Sequence, residues 1–169
     1  MTPRHKRMVF GIALPLVVVA VVGLLGVGYM VRPGDDPAQG LADPTDAAQV
    51  AAGKEVYARH CASCHGADLA GETADWRTRK ASGSLPAPPH DASGHTWHHP
   101  DQQLFAITKR GIAPFAPEGY VSDMPAFGGV LSDAEIWAVL AYIKSTWPPD
   151  ALRSQQARTE QATKAGQGG

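Results

Sequence analysis

The stretch Cys61-Ala62-Ser63-Cys64-His65 decides how the rest of this chain reads. It holds both cysteines of the sequence, with an imidazole directly after the second. Two thiols at this spacing serve four chemistries: thioether attachment of c-type haem, a thioredoxin-like redox pair, half of a zinc site, or a plain local disulfide. The His in the last position favours the first. Two thiols add to the two vinyl groups of haem, and the adjacent imidazole then lies under the iron as proximal ligand. A redox pair needs a βαβ setting, and no stretch here alternates over strand length. A zinc site would combine Cys61, Cys64, His95 and His99, but the gap between its halves is about twice the usual one.

Outward from the motif, three helices are predicted. Asp46 to Cys61 leads into it, with Val50, Gly53, Val56, Tyr57 and His60 near one face. A short helix runs from Pro100 or Asp101 to about Arg110, carrying Leu104, Phe105 and Ile107. The clearest spans Ser132 to Thr146. Ser132 and Glu135 form a capping-box pattern, Ile136, Val139, Leu140 and Ile143 a helical stripe, and Pro148-Pro149 a stop. The intervening segments, 66–100 and 111–131, are rich in Gly, Pro and Asp. So much loop in a small domain needs an internal group to organise it.

An electron-transfer haem often takes a second protein ligand, commonly Met. Met1 is the first residue, and Met8 and Met30 bound an apolar run, which leaves Met124 in the region beyond that run. It sits in a loop, Ser122-Asp123-Met124-Pro125-Ala126-Phe127, rather than on an apolar helix face. His90, His95, His98 and His99 are the competitors. Any of them would give bis-His ligation, or the run HDASGHTWHH would bind copper or another metal.

The apolar run itself, Met8 to Val31, has no charged side chain and is long enough as a helix to cross a bilayer core of roughly 30 Å. Arg4, Lys6 and Arg7 precede it and Asp35 and Asp36 follow, which puts the N-terminus in the cytoplasm and everything after residue 31 outside. Tyr29-Met30-Val31-Arg32-Pro33 offers no small-x-small cleavage site, so the expectation is an uncleaved anchor. The expected organisation is therefore an anchor over 1–31, a Pro/Gly/Asp linker over 32–45, one domain over 46–150 and a disordered tail over 151–169. That tail has a single large aliphatic residue, Leu152, and no aromatic.

Composition sets the outer limits. The 169 residues allow one ordinary domain, and 2 cysteines exclude a disulfide-dense scaffold. A formal net charge of −1 excludes a nucleic-acid binder of the basic type. That charge is a sum of unlike parts. Arg4, Lys6, Arg7 and Arg32 lie within residues 1–32 with no acid beside them, so the exported part is acidic. An acidic surface suits a basic docking patch on a partner.

From about Asp46 to Pro148 the chain resembles bacterial, membrane-anchored, monohaem class I c-type cytochromes. Gly53 and Tyr57 ahead of Cys61-x-x-Cys64-His65, then Met124-Pro125-x-Phe127, then a last helix with Val139 and Tyr142 carry the resemblance. It implies an all-α fold: a small class I cytochrome c fold around one covalently attached haem c. It also implies a close crossing of Gly53 against the Val139/Tyr142 region, and a proline carbonyl orienting His65. Pro86, Pro88 and Pro89 are candidates for that carbonyl, and Trp76, Arg77 and Trp97 for contacts to the propionates. The function implied is a monomeric one-electron carrier, not an enzyme, on the periplasmic face of the cytoplasmic membrane. Cys61 and Cys64 would hold the haem and His65 and Met124 its iron. Electrons would pass from a quinol-oxidising complex to a terminal oxidase or reductase in a respiratory or photosynthetic chain. The alternatives are a haem-based sensor or peroxidase, a haem-plus-copper protein, or a cytochrome subunit of one dehydrogenase.

Overall fold

The structure, a computed structural model, describes residues 42–166. The expected anchor and most of the linker lie outside the described residues. Among those described, no helix is long and apolar enough to cross a membrane.

Among the described residues five α-helices follow in order: α1 (Ala47–His60), α2 (Ala62–His65), α3 (Asp101–Arg110), α4 (Asp133–Ser145) and α5 (Pro149–Gly166), with short 3-10 turns at Thr96–His98 and Ala113–Phe115. No strand occurs among the described residues. Each predicted helix is present. The Asp46 carboxylate caps α1 by accepting from the Ala48 and Gln49 amides. The capping box at Ser132 and Glu135 is formed in both directions. Gly111 ends α3 at φ 75°, a left-handed position that costs glycine nothing.

Helix α4 is the axis of the domain. It is buried from Ile136 to Ala141 and again at Ile143 and Lys144, so nearly its whole circumference is covered rather than one stripe. Helix α1 crosses it at Gly53. A methyl group on Gly53 would stand 1.9 Å from the Ala138 carbonyl oxygen and 3.0 Å from the Tyr142 Cβ, so the missing side chain is what lets the two backbones meet. The expected crossing is therefore present, centred on Ala138 and Tyr142. Val56 and Tyr57, one turn on, pack beside it. Helix α3 packs on α4 through Phe105 and Trp137, whose rings stack with centroids 4.4 Å apart.

The tail expectation is corrected. From Pro149 the chain forms a helix of 18 residues, and Ala151, Gln155 and Thr159 along it are buried at a spacing of four. Pro149 ends nothing; it occupies the first turn of α5, where its missing N–H is no loss. What holds α5 is polar. The Gln155 amide nitrogen donates to Asp101 Oδ1 at 2.6 Å, to the His99 carbonyl and to Thr159 Oγ1, and Asp101 is itself clamped by Lys144 Nζ at 2.8 and 2.9 Å. Lys144 and Asp101 side chains are 4% and 2% exposed, so this is an ion pair inside the fold.

Candidate functional site

Helix α1 delivers its last turn directly into the cysteine motif. The Cys61 amide still donates to Tyr57, and the next turn closes on Cys61, whose carbonyl accepts from both Cys64 and His65. Residues 61–65 are thus a continuation of a helix that is itself locked against α4. Both thiols are free, Cys61 half-buried and Cys64 exposed. Burial, with Cys64 nearby, pushes the Cys61 thiol up to about 11, so it stays protonated at neutral pH.

His65 is buried and held at three points. Its Nδ1 lies 2.8 Å from the Pro88 carbonyl oxygen. A carbonyl can only accept, so Nδ1 carries the proton and Nε2 keeps its lone pair. Burial holds the ring below its usual pKa, partly opposed by the Pro88 bond, which keeps it neutral and basic at Nε2. The Tyr57 hydroxyl donates to the Gly66 carbonyl at 2.8 Å, fixing the backbone just beyond. The His90 ring stacks on the His65 ring, centroids 4.0 Å apart. Among the three candidate prolines the structure selects Pro88. Its segment is pinned by the Glu72 amide donating to the Ala87 carbonyl and the His90 amide donating to Leu69.

Met124 lies in the loop before α4, half-buried, its amide donating to Ser122 Oγ. On its far side the Phe127 and Gly128 amides take the Thr108 and Lys109 carbonyls, two of the groups that the end of α3 leaves without helical partners. The loop is therefore held by α3, which sequence reading did not foresee.

The remaining histidines do not converge. His90 is committed to the His65 face, to Thr96 Oγ1 through Nδ1, and to Trp147, which donates Nε1 to its carbonyl at 2.7 Å. His95 stacks on Trp76 and meets His99 edge-on, while His98 stacks on Trp97. Among the described residues no group of three or more His, Cys, Asp or Glu is assembled to hold a metal ion, so the four-ligand zinc arrangement is not formed. Arg77 lies over the Trp76 ring at 4.0 Å, and Trp97 Nε1 donates to the Ala92 carbonyl.

Residues 48–143 match the family model described as cytochrome C oxidase, cbb3-type, subunit III. The chain belongs to this family. No solved structure matches it. The family's domain is a c-type cytochrome domain; its cofactor is haem c and its general function haem-based electron transfer. The all-helical fold, without strands among the described residues, agrees with it. The residues present fit the group. Two thiols that could have paired with each other are free, and the imidazole beside them has spent Nδ1 on Pro88 while keeping Nε2 for a metal.

The matched family strengthens one sequence reading and leaves others where they stood. The motif was legible in the residues themselves, whereas the Gly53 crossing and a proline carbonyl on His65 were implied by the family resemblance. Two polar networks were not legible: Lys144–Asp101–Gln155 and a second one joining Glu72, Lys80, Ser84 and Asp123. Asp123 lies 43 positions from Lys80 and 39 from Ser84, and Gln155 lies 54 from Asp101, so no local pattern links them.

Proposed function

We propose that this cytochrome is a one-electron carrier, tethered by residues 8–31 to the outer face of the cytoplasmic membrane of a bacterium. Cys61 and Cys64 would hold haem c through thioethers, and His65 and Met124 would ligate its iron. When bound, the haem supplies a ferric/ferrous couple. The chain's own residues do the rest. Pro88 holds His65 in the tautomer that ligates and raises its basicity. Tyr57 and α1 keep the motif from shifting as the charge on the iron changes. A thioether ligand favours the ferrous state and so a relatively high potential. With His65 and Met124 both given to the iron, no open position would remain for a substrate, and this is what would separate a carrier from a sensor or peroxidase.

The observation that carries this reading is the buried His65 ring, its Nδ1–H donating to the Pro88 carbonyl and its Nε2 lone pair free, beside two unpaired thiols. The family is described as a cbb3-type oxidase subunit, and this supports a second reading: a bound cytochrome subunit that feeds one terminal oxidase rather than a shuttle between complexes. The tether serves either, by raising local concentration at the membrane. In both, electrons come from a quinol-oxidising complex or an equivalent membrane donor.

The test is the near-infrared spectrum of the purified ferric protein and of Met124→Ala. Wild type is expected to show the sulfur-to-iron charge-transfer band and the variant to lack it. A wild-type spectrum without the band refutes Met124 as ligand, and a protein that fails to attach haem covalently refutes the whole reading. Solubilising membranes with and without detergent separates carrier from subunit: a carrier purifies alone, a subunit with an oxidase. N-terminal sequencing of the membrane fraction checks the anchor. A chain beginning near Asp35 overturns it.

A further inference from the structure

Two loops from opposite ends of the domain sequence meet beside Met124. Lys80 is the junction. Its Nζ lies 2.8 Å from Glu72 Oε2 and 3.2 Å from Asp123 Oδ2. The same Asp123 oxygen accepts from Ser84 Oγ at 2.7 Å. Ser84 is fully buried, and its hydroxyl is also 2.9 Å from that of Ser82. The hairpin that carries these groups is closed on itself, with the Lys80 amide donating to the Ser84 carbonyl. Glu72 Oε2 in turn accepts from the Ala87 amide at 3.0 Å, immediately before Pro88. A continuous polar path therefore runs from the segment that orients His65, through Glu72, Lys80 and Asp123, to the residue next to Met124.

The Met124 loop has no helix of its own. Downstream it is fastened by Phe127 and Gly128 on the end of α3. Upstream, Asp123 is tied by its side chain to Ser84 and Lys80, and farther back Arg79 lies over the Tyr120 ring at 5.4 Å. We infer that Asp123, gripped by Ser84 and Lys80, is a positioning residue that fastens the Met124 loop and sets how readily the sixth haem ligand is displaced. This rests on the ligand assignment proposed above.

The two grips are unequal. Lys80 and Asp123 are 31% and 58% exposed, and ion pairs so placed contribute little because water and salt screen them. The Ser84 bond is made by a hydroxyl out of water to an ionised acceptor, the stronger kind. Removing it should ease loop opening about tenfold, equivalent to about 1.4 kcal/mol. Removing Lys80 should ease it by about two- to threefold.

The experiment titrates the full-length, haem-loaded ferric protein with imidazole and follows loss of the sulfur-to-iron band, with the thermal midpoint by circular dichroism read in parallel. Ser84→Ala is expected to bind imidazole about tenfold more tightly than wild type, and Asp123→Ala, which loses both grips, at least as tightly as Ser84→Ala. Lys80→Gln should gain two- to threefold. Asp123→Asn should fall between wild type and Asp123→Ala, since its amide oxygen still accepts from Ser84. A merely structural role would lower the thermal midpoint and leave imidazole affinity at room temperature unchanged, and that result overturns the inference. So does an effect of Lys80→Gln as large as that of Ser84→Ala, which would assign the grip to charge alone. A wild-type protein with no sulfur-to-iron band fails earlier: it removes the ligand assignment, and the inference falls with it.

Discussion

Gly53→Ala is the sharpest test of how the site is held. The added methyl would stand 1.9 Å from the Ala138 oxygen and 2.4 Å from the Ala138 carbonyl carbon, where real contacts essentially never fall below 3.0 Å. The obstacle is backbone inside a helix, so no side chain can swing away. Helices α1 and α4 must part by about 1.1 Å to relieve it. A gap of 0.5–1 Å already forfeits about a quarter to a half of each dispersion contact, and Val56, Tyr57, Val139 and Tyr142 all pack across or beside this crossing. Overpacking commonly costs about 1–3 kcal/mol, and a backbone obstacle belongs at or above the top of that range. Alanine returns about 1 kcal/mol as the better helix former. The net expectation is a loss of about 2–3 kcal/mol, which for a domain of this size lowers the melting midpoint by roughly 8–15 °C. Far-UV circular dichroism on wild type and variant, both haem-loaded, measures it. A variant melting within 2 °C of wild type, or above it, would refute the argument that backbone contact at Gly53 sets the crossing.

Two other outcomes follow from the polar networks and caps. Lys144→Met strands the Asp101 carboxylate inside the fold with only Gln155 and its neighbours to hold it, and should cost about 3–5 kcal/mol in urea denaturation; Lys144→Met with Asp101→Asn should recover much of that, and a single variant within 1 kcal/mol of wild type would show the pair is not dry. Glu135 is held below its usual carboxylate pKa, first by its bond from the Ser132 amide and then by the Ser132 hydroxyl. Its folded pKa is depressed, so its stabilisation is present above the unfolded value of about 4.5 and is lost as pH falls through the folded one. Wild type should therefore exceed Glu135→Gln in stability at pH 7, with the difference closing towards pH 3. A difference independent of pH would contradict the cap as an ionised acceptor.

Local signals carried the helices because their causes are local. Asp46, Ser132 and Glu135 cap where capping residues stand in the sequence, and Gly111 ends α3 where a left-handed position is needed. Helix α5 escaped because its buried face is Ala151, Gln155 and Thr159. Periodicity searches weigh apolar residues, and this face is held by hydrogen bonds to partners over fifty positions away. The histidine-rich run is the opposite case. Four imidazoles close in sequence suggest shared ligation, yet His90 turns to His65, His95 to Trp76 and His98 to Trp97.

By itself the sequence determined the chemistry. Two thiols and an imidazole at fixed spacing on a helix end admit few uses, and bond lengths alone bring them together whatever the rest of the fold does. That Gly53 lies where two helices meet was implied by the family resemblance, and the contact itself is set by the packing of α1 on α4. Tertiary structure decided the parts that depend on long-range packing. It chose Pro88 over Pro86 and Pro89 to hold the His65 proton, and buried Lys144 against Asp101. It also set Asp123 on Ser84, 39 positions away, beside the residue proposed as sixth ligand. Loops rich in Gly and Pro have no periodicity to read, so what they touch is settled only when the helices beneath them have packed.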